Sequence, residues 1–371
     1  MKKRVLFVSY NAFNRGGIQN VVMNIVKNLS NEYTFDLLCF QEDIGKLEKE
    51  FLSYGGKIIK YQAYYSGKNN FRKRVDYYLR GVSLFSSTLK AIRENGPYQA
   101  IHCNNAFESG ICLRVANKEK IPVRIAHSHT AIPEEGNVLR RLLDKKYRCL
   151  IEKNATHQIG CSQEACDSLF LKGSATEVIP NFYDDKKFFS EDYPQTPFPS
   201  PRLIQIASFG SNKNQLFSVE VLCELKKQYP QSKLIFVGYD NEPGYLQKIE
   251  SAIIQDRVQE NIEFYPSNAN LPILLNQSSY FLLPSFSEGF GLAPVEAQAM
   301  GVRCFVSDSV PRLCDCGGCT FLPLGDGAKK WAETIIQDYK QTNGKHAKYD
   351  CSKYAASNGI RAYEQLYRWN I

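Results

Sequence analysis

The sequence predicts an α/β protein of two domains, each built on a parallel sheet, and three observations lead there. At 371 residues the chain exceeds what a single hydrophobic core usually supports. Short apolar runs of strand length alternate with segments of helical periodicity in both halves, the βαβ plan of a parallel sheet. Between the halves, Glu191 to Pro201 (EDYPQTPFPSP) is rich in proline and lacks periodicity, so it reads as an interdomain linker. The expected division is 1–185, a linker at 186–201, 202–350, and a last helix within 351–371. The halves share an alternating plan without an internal sequence repeat.

Composition is that of an ordinary globular protein, 43% hydrophobic and 23% charged. The opening Met-Lys-Lys-Arg precedes an apolar run too short for a secretory signal, and no stretch approaches membrane-spanning length, so a cytoplasmic protein is expected. Twelve cysteines would stay reduced there. Cys314, Cys316 and Cys319 in CDCGGC could supply three thiolates, but a closed zinc site wants four ligands, and no further Cys or His stands at a familiar spacing. A tight glycine turn with free thiols is the plainer reading, and no metal is expected. The net charge of +8 is unevenly spread: residues 1–180 hold 27 Lys and Arg against 17 Asp and Glu, the remainder 19 against 21. That asymmetry points to an anionic partner for the first half, either a membrane surface or a phosphorylated acceptor.

In the first half, Arg4 to Tyr10 reads as a buried strand and Asn11 to Gly17 (NAFNRGG) as the loop after it. Val21, Val22, Ile25, Val26 and Leu29 then recur at helical spacing, so Gly16 and Gly17 sit where strand, loop and helix N-terminus meet, a place that suits phosphate. It is not the G-x-G-x-x-G dinucleotide fingerprint, which weakens the nicotinamide oxidoreductase reading. Thr34 to Phe40 and Lys57 to Tyr61 follow as strands, with a charged helix from Ile44 to Tyr54 between them. Basic and aromatic residues interleave in Lys68 to Arg80. A second basic segment, Leu139 to Arg148, places Leu139, Leu142 and Leu143 beside Arg140, Arg141, Lys145 and Lys146: an amphipathic helix for anionic lipid, or simply a solvated face. No recognised motif accompanies the charge, so nucleic acid is not an expected partner. Tyr98 to Cys103 is a strand ending near His102, with a helix from Phe107. Val123 to Ala126 is another, ending in His127-Ser128-His129. Histidines at strand C-terminal ends lie where open α/β sheets bind ligands, and the chain has only 5. Gln158 to Ser162 is the last strand expected of this half.

The second half restarts with a strand at Arg202 to Ala207, then Ser208 to Asn214 and a helix from Gln215. Strands are expected at Lys233 to Gly238, Asn261 to Tyr265, Tyr280 to Pro284 and Val302 to Ser307, and helices from Gly244 to about Ala252, Leu271 to Asn276, Trp331 to Tyr339 and Tyr354 to Tyr367. The richest stretch is Ser285 to Gly301, SFSEGFGLAPVEAQAMG. Gly289 and Gly291 free the backbone to turn and to approach a ligand, Pro294 suits the first helical position and Gly301 the stop. The arrangement presents backbone N–H groups of Phe290, Gly291 and Leu292 at the mouth of a strand, where a phosphate is favoured. Glu288 in the loop and Glu296 in the first turn would repel that phosphate. A functional reading therefore aims both at sugar hydroxyls and leaves a diphosphate to amides and a cation. The alternative is a solvated Glu288 and a Glu296 that complements the helix dipole.

The run Glu-Gly-Phe-Gly, Pro-Val-Glu-Ala, Ala-Met-Gly resembles the donor-binding segment of the retaining glycosyltransferases of family four, which have the GT-B fold. That resemblance implies two Rossmann-like, doubly wound domains facing across a cleft, with the last helix crossing back to the first domain, and Val178 to Tyr183 (VIPNFY) similar to the family's exit from that domain. It implies a donor diphosphate and sugar held by Gly16, Gly17, Lys213, Glu288, Gly289, Phe290, Gly291 and Leu292, and ribose hydroxyls held by Glu296. Tyr265-Pro266-Ser267 falls at the base. His127 falls where the family places a histidine close to the transferred sugar, with His129 as the rival, so the implied catalytic set is His127, Glu288 and Lys213. The reaction implied is metal-independent front-face transfer from a nucleotide-diphosphate sugar such as a UDP-sugar, without a cofactor, to a hydroxyl of a glycan or polyprenyl-diphosphate-linked acceptor in surface-polysaccharide assembly, on the inner face of the cell membrane. The chain departs from the pattern at Ala207-Ser208, where the family usually has Gly-Arg. An accessory sugar-nucleotide-binding protein is therefore the alternative.

Overall fold

The computed structural model of the protein describes residues 2–9, 13, 16–62, 70–104, 106–129, 138–192 and 198–368. The side chains of residues 70–79, 139 and 192 lie outside that description. The chain forms two compact units, Met1–Phe182 with Ala356–Ile371, and Tyr183–Ala355.

The first unit is built on seven strands: β1 (Lys3–Ser9), β2 (Tyr33–Cys39), β3 (Ile58–Lys60), β4 (Ala100–Cys103), β5 (Val123–Ser128), β6 (His157–Gly160) and β7 (Glu177–Val178). They lie in the order β3-β2-β1-β4-β5-β6-β7, every pair parallel. Val5 to Val8 are fully buried, and their alternation splits them between two cores. Val5 and Phe7 pack with the helices Gly17–Leu29 and Ala356–Tyr367, while Leu6 and Val8 pack with the helices on the opposite face. A strand covered on both faces must be apolar throughout, which is why it reads as an unbroken hydrophobic run. The second unit repeats the plan with β8 (Arg202–Ile206), β9 (Lys233–Gly238), β10 (Ile262–Pro266), β11 (Tyr280–Leu283), β12 (Arg303–Ser307) and β13 (Cys319–Leu322), in the order β10-β9-β8-β11-β12-β13, again parallel.

Both sheets are doubly wound and Rossmann-like. The winding reverses between β1 and β4 in one and between β8 and β11 in the other. At such a reversal the loops leaving two adjacent strand ends diverge and open a crevice, the usual ligand position in open α/β sheets. Gly16 and Gly17 follow β1, Lys213 follows β8 and the Glu288 segment follows β11, while His127 lies on β5, next to β4.

Several expectations need correction. The helix expected over Ile44 to Tyr54 spans only Glu48–Leu52. Gly45 packs so closely that a Cβ there would lie 2.4 Å from the Phe13 backbone, and Leu47 N–H donates to Phe13 O at 2.9 Å, which holds the preceding residues in a turn. Two strands were missed. β7 is only two residues long, and β13 begins at Cys319, inside what reads as a glycine and thiol turn. The parts of the expected loop and linker at residues 10–12, 14–15 and 193–197, and the start of the first basic segment at 68–69, lie outside the described residues.

Candidate functional site

In the second unit the site is assembled from the loops that follow β8 and β11. After β8 the chain makes a short turn over Ser211–Lys213, and Asn214 takes a left-handed φ of 53° before the helix Gln215–Lys226 begins. Three buried polar side chains hold this turn. Gln205 donates to Lys213 O at 2.7 Å, Ser218 donates to Gln205 Oε1 at 2.7 Å, and Gln215 donates to Ser208 O at 3.0 Å. The β11 loop is tied to it by Phe286 N–H donating to Asn212 O at 2.9 Å and by Asn212 Nδ2 donating to Ser287 O at 2.9 Å. The two loops thus form one platform, on which Lys213 Nζ donates to Glu288 Oε1 at 2.6 Å and Ser285 Oγ donates to the same oxygen at 2.8 Å. Lys213 and Glu288 are 75 positions apart in sequence, yet the lateral pairing of β8 with β11 makes their meeting a matter of topology.

The helix behind the loop is Leu292–Ala299, with Gly291 as its N-cap at φ 86° and no side-chain cap. A Cβ at Gly291 would also press on Val310 and Cys314 at 3.3 and 3.4 Å, so both conformation and space call for glycine. This start corrects two expectations: Pro294 is the third helical residue, not the first, and Glu296 lies in the second turn, so the first turn carries no acidic side chain. The N–H groups of Leu292 and Ala293 head the helix without intrahelical partners, as first-turn donors do. Phe290 is buried, its ring edge-on to Tyr354 at 5.2 Å, so only its backbone can serve a ligand; Gly289 beside it is also buried. Gly301 at φ 81° ends the segment. Glu296 is half-buried. Desolvation pushes its carboxyl up to about 7, opposed by the charge of Lys187 and reinforced by that of Asp184.

Gln298, fully buried, was missed at the sequence level. Its Nε2 donates to Pro294 O and Cys314 O at 3.0 and 2.9 Å, and its Oε1 accepts from Cys316 N–H and Gly318 N–H at 2.8 and 3.0 Å. It therefore pins the CDCGGC turn beneath the Glu288 loop. A glutamine in a helix of alanines was the only available sign. Cys314, Cys316 and Cys319 are free thiols, and among the described residues no group of three or more His, Cys, Asp or Glu could hold a metal ion.

In the first unit Gly16 is the extended N-cap of Gly17–Leu29. A Cβ at Gly17 would meet nothing within 4 Å, so packing does not require that glycine. His127 is not beyond its strand: β5 continues to Ser128, pairing His127 with Ile159. His127 and His102 are buried, with His127 Nδ1 3.0 Å from His102 Nε2. His129 Nε2 lies 2.7 Å from Asn104 Oδ1. Burial pushes His129 down to about 3 and holds His102 and His127 well below the ordinary histidine value, so all three are neutral. The basic helix expected at Leu139 to Arg148 runs over Val138–Asn154. Leu143 packs on the core, Arg148 donates to Ser168 O, and Val138 and Leu142 are exposed beside the exposed Arg141, Lys145 and Lys146. Among the described residues no helix is long and apolar enough to cross a membrane.

Compared with known proteins, residues 15–187 match the Glycosyltransferase Family 4 model and residues 190–316 the glycosyl transferases group 1 model. The putative glycosyltransferase EpsF of Bacillus subtilis (strain 168) is 29% identical over 352 residues, 91% of this chain and 88% of that one. The capsular polysaccharide biosynthesis glycosyltransferase CapH of Staphylococcus aureus is 26% identical over 300 residues, 78% of this chain and 77% of that one. Among solved structures, Anabaena Alr3699/HepE in complex with UDP and glucose superposes with a TM-score of 0.70 at 15% identity, covering 98% of this chain and 95% of that one.

Proposed function

We propose that this chain, which belongs to the family four glycosyltransferases of GT-B fold, transfers a sugar from a nucleotide-diphosphate sugar, a UDP-sugar, to an acceptor hydroxyl with retained anomeric configuration. The observation that carries this reading is the Lys213–Glu288 pair at the reversal of the second sheet. It offers a cation and a carboxylate at a phosphate-favouring helix start, the combination a donor bearing both a diphosphate and a sugar requires.

In the mechanism, Lys213 releases Glu288 and turns its ammonium to the diphosphate. Negative charge growing on the departing nucleotide is then met by Lys213 and by the amides of Phe290, Gly291 and Leu292, already oriented by the fold. Glu288, steadied by Ser285, accepts from sugar hydroxyls, and Glu296 from the ribose hydroxyls. Together they spend binding energy on holding the anomeric carbon in place. Gly16 and Gly17 leave room for close approach of the donor's diphosphate and sugar. His127 hydrogen-bonds the transferred sugar. No protein nucleophile is assigned, because the leaving phosphate takes the acceptor's proton in a front-face displacement. No metal and no cofactor is assigned either.

The acceptor is a glycan or polyprenyl-diphosphate-linked hydroxyl in surface-polysaccharide assembly. That setting is in keeping with the name CapH carries and with exposed Val138 and Leu142 amid basic residues, suited to the inner face of an anionic membrane. Ser208 favours one rival, a sugar-nucleotide-binding accessory protein, since at the family's usual arginine position the chain has an uncharged serine, whose carbonyl accepts from Gln215. Nucleotide release measured over a panel of sugar nucleotides, with and without acceptor, separates the two. One donor should turn over, and Lys213→Ala and Glu288→Ala should each cut its transfer more than about tenfold while the fold survives. Full activity in both variants would refute the site.

A further inference from the structure

The first unit holds a chain of hydrogen bonds of which the mechanism above uses only the His127 end. Tyr367, on the C-terminal helix, places its hydroxyl 2.7 Å from His102 Nδ1, and His102 Nε2 lies 3.0 Å from His127 Nδ1. Tyr367 and His102 are completely buried and His127 is 1% exposed. The outer nitrogen of that chain, His127 Nε2, is buried without a hydrogen-bond partner among the described residues, and so is His129 Nδ1 on a ring whose centroid is 3.8 Å from that of His127.

The partners fix where the protons lie. Each neutral ring carries one N–H, so exactly one proton serves the contact between the two rings. If His127 Nδ1 held it, His102 would have to be protonated at Nδ1 and donate to the tyrosine oxygen. The phenolic O–H would then need another acceptor, and among the described residues Tyr367 hydrogen-bonds nothing but His102. The other arrangement satisfies the tyrosine and both nitrogens of His102 and leaves only His127 Nε2–H open: Tyr367 O–H donates to His102 Nδ1, His102 Nε2–H donates to His127 Nδ1, and His127 keeps its proton on Nε2. His129 has the opposite sense. Asn104 Nδ2 points to Val8 O and His102 O, so Asn104 Oδ1 accepts from His129 Nε2–H and His129 Nδ1 is a bare lone pair.

We propose that Tyr367, acting through His102, is a positioning residue that holds His127 as an Nε2–H donor beside the Nδ1 acceptor of His129, and that the two together receive one hydroxyl of the transferred sugar. A hydroxyl both accepts and donates, so a single sugar hydroxyl can satisfy an orphan donor and an orphan acceptor side by side. The assignment deepens the glycosyl-transfer reading and rests on it for the identity of the ligand. The relay itself is a property of the unliganded chain. Tyr367 is held by the rings of Tyr33 and Phe35, at 5.6 and 6.0 Å, packing that phenylalanine would retain.

The test is the nitrogen spectrum of the histidine rings in unliganded protein labelled with ¹⁵N-histidine. Wild type should show a protonated, pyrrole-type Nε2 and a pyridine-type Nδ1 at His127. Tyr367→Phe removes the proton that biases His102, so His127 should become a mixture of tautomers, with kcat/KM for transfer falling about tenfold. Tyr363→Phe is the control: its hydroxyl has no partner among the described residues although its ring lies 6.0 Å from that of His127, so the His127 signals should not change. A wild-type His127 protonated at Nδ1, which can be read even if no variant folds, would overturn the relay. So would identical His127 signals in wild type and Tyr367→Phe. Full transfer by His127→Ala would instead overturn the sugar hydroxyl as the ligand. Failure of the wild type to release nucleotide from any sugar nucleotide would count against the glycosyl-transfer reading and leave the ring spectra unaffected.

Discussion

Replacing Glu296 by glutamine should make the protein more stable and a poorer binder of donor, each only on one side of neutrality. Desolvation displaces this carboxyl from 4.5 to about 7, so between those values the folded chain retains a proton that the unfolded chain has released. Stability contributed by this group is therefore lost as pH rises through that window, and the loss is complete above about pH 8. The displacement corresponds to about 3 kcal/mol at full effect, and partial solvent contact brings the expected range to about 1–3 kcal/mol. At pH 8 Glu296→Gln should melt a few degrees higher than wild type, at roughly 2–4 °C per kcal/mol for a unit of this size. At pH 4.5 the two should coincide. Donor binding runs the other way. If the ribose hydroxyls need the carboxylate, its ionised fraction rises from about one tenth at pH 6 to about nine tenths at pH 8, and wild-type affinity should rise roughly tenfold. Glu296→Gln should be weak and flat across the same range. Lys187→Ala, which removes the opposing positive charge, should move the wild-type midpoint upward. Calorimetric melts and titrations with a sugar nucleotide between pH 4.5 and 8 give both curves. Parallel melting profiles for wild type and Glu296→Gln would refute the reasoning, and so would equal pH slopes in binding.

Two further outcomes are expected. Gln298→Ala strands the N–H groups of Cys316 and Gly318 and the carbonyl of Cys314, while Pro294 O still accepts from Cys304 Sγ, and should cost about 3–4 kcal/mol in urea unfolding, the upper range for a lost buried network; a loss below about 1 kcal/mol would show that the turn is held elsewhere. The full chain should bind anionic vesicles more tightly than neutral ones at low salt, with the difference reduced by Leu142→Ser and by Lys145→Glu. Equal sedimentation with both lipids would remove the membrane argument.

Most strands could be read from the sequence because each buried run is apolar on both faces and bounded by turn residues; Lys233–Gly238 and the helix Leu271–Asn276 fall where expected. Errors arose where a local preference met a stronger geometric demand. Pro294 is a good first helical residue, but the left-handed Gly291 starts the helix two positions earlier and carries Glu296 into the second turn. At Cys319 the glycine pair before it masked a strand set by pairing with Cys304 and its neighbours. Lys213 and Glu288 were legible as separate motifs, and their contact follows from strand order. Nothing local signals that Tyr367 reaches His102 across 265 positions, and no periodicity distinguishes Gln205 or Gln298 from solvated glutamines.

The polypeptide leaves the first unit after Phe182 and re-enters it at Ala356, so the second unit is an insertion in the first. On the ribosome, the nascent first unit must therefore wait for some 170 intervening residues, 183 to 355, before Tyr363, Leu366 and Tyr367 arrive to fill its core. A nonsense codon at any position from 356 to 363 would spare the Lys213–Glu288 platform yet leave the histidine half with a hole where three large side chains belong.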